Sequence, residues 1–433
     1  MFRKVYKYLV LLISVMLIIS SANAQIVKIN CMNCHEKLIK DKVVHPIAED
    51  ACDNCHVYSN HSHPGSKGNE FTLVETVPNL CYICHEAQNT KTNIHPPITD
   101  GYCWMCHSPH ASPNPGLLTE SPVKRTCDRC HNLEIPVKDK IHAPVKNGKC
   151  NSCHNPHQSD LSFLLKEDKS ELCFKCHGSV EEQASYEVIH YPFDDDCSNC
   201  HTAHSSPENY LLTGKTPDLC FNCHDWYQEE EPVSSHSVVF DEKNCANCHS
   251  PHASKIGKLL IAEGTNLCMN CHNKKIKTET HSIDNISLKI KSGKSVHAAI
   301  EFEGCATCHL PHTSEFAYLL KANYPLRKYA PADAESFALC FECHDSEILV
   351  QEFTTDITSF RDDNINLHYL HIKGRKGRSC GLCHDMHAST NEHLINEKSN
   401  FGSWEMDMNY KVTSTGGSCF PGCHAEESYT RKD

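Results

Sequence analysis

The sequence predicts a mostly irregular, elongated chain with short α-helices, built on a repeated two-site module whose core is supplied by bound groups. Three observations lead there. Fifteen times a cysteine pair is followed at once by histidine, and these copies use all 30 cysteines. The copies recur in pairs with a period of 46 to 48 residues in the middle of the chain. Hydrophobic residues are 39% of the total, and cysteine supplies much of that, so ordinary side chains are thin material for a core.

Fourteen copies read Cys-x-x-Cys-His. They are Cys31, Cys34, His35; Cys52, Cys55, His56; Cys81, Cys84, His85; Cys103, Cys106, His107; Cys127, Cys130, His131; Cys150, Cys153, His154; and Cys173, Cys176, His177. They continue with Cys197, Cys200, His201; Cys220, Cys223, His224; Cys245, Cys248, His249; Cys268, Cys271, His272; Cys305, Cys308, His309; Cys340, Cys343, His344; and Cys380, Cys383, His384. The fifteenth, Cys419, Cys423, His424, has one extra residue between its cysteines and needs a looser loop. Zinc sites, redox dithiols and iron–sulfur clusters also use Cys-x-x-Cys, but none needs a histidine after every pair. Covalent c-type haem does. Positions i, i+3 and i+4 share one helical face, so both sulfurs reach the porphyrin edge while the imidazole meets the iron. The expectation is about fifteen haem c groups, stacked as the core, and a chain that does not fold without them.

Residues 1–24 read as a secretory signal peptide: Arg3, Lys4 and Lys7, an apolar run from Leu9 to Ile19, then Ala22-Asn23-Ala24. An uncleaved anchor is the alternative. Export suits haem attachment, with the periplasm as first choice and an outer-membrane-associated or extracellular site as alternatives. Residues 25–90 hold a leading haem and the first two-haem module, 91–280 four regular modules, and 281–433 two expanded modules. Net charge is −13, and losing the three signal cations takes it to −16, which argues against nucleic acid. The acidic runs Asp194-Asp195-Asp196 and Glu229-Glu230-Glu231 read as solvated faces, and Lys373–Arg378 as the one basic loop.

Each regular module has one grammar. An upstream histidine (His95, His142, His190, His236, His297) precedes the first motif by seven to nine positions. Three residues past the haem histidine stands another: His110, His157, His204, His252, His312 and His387. Seven further on comes a leucine: Leu117, Leu164, Leu211, Leu259, Leu319 and Leu394. These leucines are expected to pack on haem faces or to anchor a loop. The second motif follows on a short helix; Thr216-Pro217 reads as N-cap and first helical residue.

This grammar resembles the doubled CXXCH motif family of multihaem cytochromes c, over nearly the whole mature chain. The Cys-x-x-Cys-His-x-Pro-His form stands at Cys103–His110, Cys150–His157, Cys245–His252 and Cys305–His312, while Ala203 and Met386 replace the proline elsewhere. The first module departs, having His61 and His63 instead of a histidine at 59. The resemblance implies low-spin haems with two histidine ligands and electron transfer.

Counting ligands leads the same way. Beyond the fifteen motif histidines, eighteen remain, and only Met386, Met406 and Met408 could serve as methionine ligands outside the motifs. His45 joins the upstream set of candidate distal ligands. His110 and its equivalents are expected to serve the second haem of their own pair, and His95 and its equivalents the first. His61 and His63 are expected to serve the leading haem and the second haem of the first module. His371 is preferred over His368 for the Cys380 haem, and His281 and His393 are expected to be non-ligands. Saturated irons point to electron conduction with no catalytic residue, and to cytochromes or other redox proteins of the cell envelope as partners. A porin and self-association into a filament are further alternatives. A reductase of a nitrogen or sulfur oxyanion would need an open iron, with the leading and last haems as its candidates.

Overall fold

The computed structural model describes residues 30–58, 63, 71–121, 123–131, 136, 139–224, 232–240, 244–278, 281–374 and 376–432. The signal-like leader, His61 and Glu229–Glu231 lie outside them. The chain divides into two units, one ending at Leu172 and one beginning at Cys173. Secondary structure is sparse and short. The longest helix among the described residues is Ile286–Ser292, and no helix there is long and apolar enough to cross a membrane.

The first six modules start with a two-residue strand that leads into the upstream histidine, whereas His371 of the last lies within the helix Leu367–Ile372. His95 has φ −63° and ψ 128°, and Pro96 then opens one helical turn, Pro96–Thr99. Proline suits that position because its missing N–H would be unsatisfied there anyway. The first motif follows on a 3₁₀ turn, as at Cys103–Met105, Cys197–Asn199 and Cys305–Thr307. Asp196, from the acidic run, caps one of these turns by accepting from the Ser198 N–H. The second motif lies on a short α-helix, as at Asn79–Tyr82, Asp218–Phe221 and Gly264–Met269, except the last, whose Cys419 ends the strand Gly416–Cys419 where a helix was expected. In both settings the motif histidine N–H donates to the carbonyl of its first cysteine, 3.0 Å for His107 and 3.1 Å for His224. That closes the single turn that puts sulfur and imidazole on one face. The expected cap at Thr216 is corrected: the Thr216–Pro217 peptide is cis, and Pro217 itself occupies the cap position.

Strand pairing skips from module to module. In the first unit, Val43–Val44 pairs with Ala111–Ser112, and Asn93–Ile94 with Gln158–Ser159. In the second, Val188–Ile189 pairs with Ala253–Ser254, Ser234–Ser235 with Thr313–Ser314, and Ser295–Val296 with Ala388–Ser389. Every one of these ladders is extended by a bond between histidines, such as His95 N–H to the His157 carbonyl at 2.9 Å and His190 to His252 at 2.8 Å. The strand before one module's upstream histidine is thereby laced to the His-x-Ser segment of the next.

The recurrent leucine sits in a left-handed turn. Leu164, Leu211, Leu259, Leu319 and Leu394 have φ of 55–58°, each preceded by another left-handed residue, respectively Phe163, Tyr210, Lys258, Tyr318 and His393. Leu117, φ 56°, follows Gly116 in the same conformation. Such backbone costs about 1–3 kcal/mol per non-glycine residue, so something else must hold it. A serine two residues after each third-position histidine does so. Ser112, Ser159, Ser206, Ser254, Ser314 and Ser389 are all buried, and each donates its hydroxyl to the carbonyl of the residue after the leucine. Sequence reading passed over this serine, although His-x-Ser occurs in all six modules. Ser254 Oγ donates to Leu260 O at 2.6 Å and accepts from Ile256 N–H at 3.0 Å. Ser254→Ala should strand both groups and cost about 1–3 kcal/mol locally. Hydrogen exchange of residues 250–261 should accelerate; unchanged protection there would contradict the assignment.

Among the described residues, one apolar side-chain cluster forms a core. Phe337, Leu349 and Ile372 are buried together in the second unit, with Ala330 and Phe341 against them. Beyond it, the hairpin Lys398–Phe401 with Trp404–Asp407 and the sheet Lys411–Val412, Gly416–Cys419, Glu427–Thr430 complete the C-terminal region.

Candidate haem sites

The histidines come together in facing twos. Within the first unit, His35 faces His63 at a ring-centroid separation of 5.9 Å, and His45 faces His85 at 6.0 Å. His56 faces His110 at 6.2 Å, His95 faces His131 at 5.8 Å, and His107 faces His157 at 5.9 Å. Within the second unit, His190 faces His224 at 6.1 Å, His201 faces His252 at 6.1 Å, and His236 faces His272 at 6.3 Å. His249–His312, His297–His344 and His309–His387 follow at 6.1, 6.2 and 6.2 Å. His368–His384 and His371–His424 close the series at 6.3 and 6.4 Å. A metal about 2.0–2.1 Å from a ring nitrogen on each side would put two imidazole centroids roughly 6.3 Å apart. The spacing fits one iron between each pair. Among the described residues no three His, Cys, Asp or Glu side chains converge as they would on a bare metal ion. Two imidazoles leave four coordination positions for a porphyrin.

The pairing rule differs from the one expected. The upstream histidine faces the second motif of its own module: His95 meets His131, not His107. The third-position histidine faces the first motif of the preceding module: His157 meets His107, and His252 meets His201. The lacing strands explain this, because they carry each third-position histidine back to the module before. The ends of the chain need substitutes. The leading motif has no regular follower, and His63 takes that place opposite His35. At the Cys380 motif, His368 takes that place opposite His384. His371, expected there, instead obeys the upstream rule and faces His424. His368 was therefore missed as a site residue; its place three residues before His371, on the same helix Leu367–Ile372, was the signal. His281 lies against Tyr318 and Thr278, and His393 contributes its carbonyl to His384. His142 and His177 begin the helical turns Ala143–Lys146 and Gly178–Gln183, and His204 directly precedes the strand Ser205–Ser206.

Backbone carbonyls fix the ring orientation. The motif histidines His107, His154, His201, His249, His309 and His384 donate Nδ1–H to the first left-handed residue of the leucine turn, at 2.7–3.0 Å. The strained turn aims that carbonyl. Upstream histidines use another acceptor: His95, His190 and His236 donate Nδ1–H to Pro156, Pro251 and Pro311 carbonyls at 2.8–3.0 Å. A carbonyl can only accept, so Nδ1 carries the proton and Nε2 is left for a metal. Burial also holds many of these rings below the usual imidazole range, with the facing histidine adding to the effect; His368 is lowered to about 4. That direction favours the neutral imidazole, the form a metal ligand takes.

The cysteines mark where neighbouring sites approach. None of the thirty is in a disulfide. The first thiol of a second motif lies in hydrogen-bonding reach of the first thiol of the next module: Cys81 with Cys103, Cys127 with Cys150, Cys220 with Cys245, Cys268 with Cys305, Cys340 with Cys380. Within a module, Cys106 lies by Cys130, Cys200 by Cys223 and Cys308 by Cys343. Inside each unit the attachment points therefore run in chain order. At the last motif, Gly422, φ +78°, accommodates the extra residue where a Cβ would meet the Trp404 ring at 3.1 Å.

Paired cysteine motifs with imidazoles poised at iron-spanning distance define a multihaem c-type cytochrome. The pattern of the doubled CXXCH motif matches six segments, residues 45–90, 95–134, 142–182, 190–229, 236–277 and 297–348, which together exceed half the chain. The protein belongs to that family. Six doubled motifs imply about twelve covalently bound haems. Each matched segment begins at or beside an upstream histidine, His45 included. No curated protein matches the chain.

Proposed function

We propose that this protein is an electron conduit carrying about fifteen haems, each iron held by two histidines. The observation that carries the reading is the set of facing imidazole pairs. Haem c, when bound, supplies a reversible one-electron ferric/ferrous couple. The chain's own residues do the rest. Cysteine pairs would hold the ring edge, and each iron would be held by a motif histidine and by a histidine from the same or the following module. Two imidazoles per iron would leave no site open for a substrate. The two sites on which a reductase reading depends, at His35 and His424, each face a second imidazole, which favours conduction over catalysis. The close thiols suit haem edges arranged in succession, stacked where an apolar core would otherwise lie. Export to the periplasm or cell surface fits the signal-like leader and the chemistry of haem attachment. Other envelope cytochromes or redox proteins are the partners this implies. The test is electron paramagnetic resonance of the oxidised holoprotein. Low-spin ferric signals throughout are expected; a high-spin signal amounting to a haem or more would sink the reading.

A further inference from the structure

The helix Ile286–Ser292 stands in the stretch that lengthens the sixth module, ahead of His297. Its start is pinned. Asn285 accepts from the Leu288 N–H at 2.8 Å and donates to the Asn273 carbonyl at 2.7 Å, and the Ser287 N–H donates to the His272 carbonyl at 3.1 Å. Its end lies against the His-x-Ser segment of the last module, where a Cβ on Gly293 would meet the Ala388 Cβ at 2.8 Å. This seat brings Lys289 to Asp385, and the two form an ion pair. Asp385 follows the motif histidine His384, and its side chain is 13% exposed. Its Oδ1 accepts from the His387 N–H at 2.9 Å and from the Ala388 N–H at 3.3 Å. The carboxylate is thereby fixed beside the imidazole that faces His309. Both charges reach that ring: the Asp385 carboxylate favours a positive charge on His387, and the Lys289 ammonium opposes it, as do His309 and His297. Charges partly withdrawn from water are screened less than surface charges, so each acts over several ångströms. On the reading above, oxidation adds one positive charge between His309 and His387. The carboxylate favours that charge, the ammonium opposes it, and together they nearly cancel.

We propose that Lys289 and Asp385 are tuning residues for the haem of Cys305, Cys308 and His309, a matched pair whose opposed charges set its reduction potential. This rests on the two-imidazole reading above. The inserted helix is then more than a spacer: it delivers a counter-charge to a site two motifs away in the fold of the last module. A brace that merely docked the helix would fail in the same way whichever half was removed. A charge pair makes its two halves act in opposite directions.

The experiment is a potentiometric titration of the full-length holoprotein, followed by visible absorbance. Lys289→Met leaves the carboxylate alone. It should shift the ferric/ferrous ratio of one step about threefold toward ferric, about 28 mV downward at 59 mV per tenfold for one electron. Asp385→Asn leaves the ammonium alone and keeps an oxygen for the His387 and Ala388 N–H groups. It should move the same step about as far upward, and the two changes together should return it close to its original potential. Shifts in one direction only, or none, would overturn the proposal. In a background lacking Cys305 and Cys308 both shifts should vanish; a shift that persists there sinks the assignment. If that background is not recovered as holoprotein, the hyperfine-shifted ring protons of His309 and His387 in the single variants give the second reading. They should follow the displaced step, and their following an undisplaced one would overturn the proposal. The unmodified protein separates the two readings. A high-spin ferric signal there defeats the two-imidazole assignment and this proposal together, whereas an all-low-spin spectrum with shifts of one sign defeats this proposal alone.

Discussion

A chain expressed without haem attachment should show no cooperative unfolding transition and should be digested throughout by a protease at low concentration. The reason is the poverty of side-chain packing. Among the described residues of the first unit, Ala111 is the one buried hydrophobic residue. The second unit adds a three-residue cluster and a few isolated side chains. Burying such a side chain contributes about 1.5–3 kcal/mol. Ordering a single backbone residue costs about 1–2 kcal/mol. The ladders cannot make up the difference, because most are only two residues long and a net hydrogen bond is worth about 1 kcal/mol. The left-handed leucine turns add cost. On the proposed function, bound porphyrin would supply the missing packing, as metal does in small metal-dependent domains. A haem-free preparation with a sharp calorimetric transition would refute this account. The expected contrast is near-complete loss of structure against a holoprotein resistant to the same protease.

The second large effect concerns which module a histidine serves. His252→Ala should convert one haem to the high-spin state, and that haem should be the one attached at Cys197 and Cys200. His252 faces His201 at 6.1 Å and not His272, which is occupied by His236 at 6.3 Å. The test is a double-variant comparison by resonance spectroscopy. In a background lacking Cys197 and Cys200, His252→Ala should add no further high-spin signal. In a background lacking Cys268 and Cys271 it should add one haem's worth. The reverse outcome would restore the within-module pairing that linear reading suggested. Strand lacing should survive the substitution, because the His190 N–H to His252 carbonyl bond is made by backbone atoms.

Much of this protein was legible as a string of letters. The haem signature, the module period and the candidate ligand set follow from Cys, His and their spacing, because covalent attachment is local: a cysteine pair and its histidine occupy one helical turn wherever the chain goes. The thin core was legible too, since composition limits what side chains can bury. The identity of each facing pair was not. His157 is three residues from His154 in sequence, yet it stands opposite His107, because Asn93–Ile94 and Gln158–Ser159 pair and carry it there. Two-residue strands of ordinary polarity leave almost no trace in a sequence, and their register comes from contacts more than sixty residues apart. The exchange of His368 for His371 at the Cys380 site has the same origin. Both stand on the helix Leu367–Ile372, and only the folded arrangement shows which of them meets His384. The serines and the strained leucine turns lie between these cases. They recur visibly, but their task, aiming a carbonyl at the nitrogen behind an iron ligand, exists only once the chain has closed into a turn. Sequence by itself determined that this chain carries the c-type haem attachment motif and how often it is written, because that signature lives within five or six residues. Tertiary structure decided which histidine meets which, because the facing imidazoles lie on segments that only strand pairing brings together.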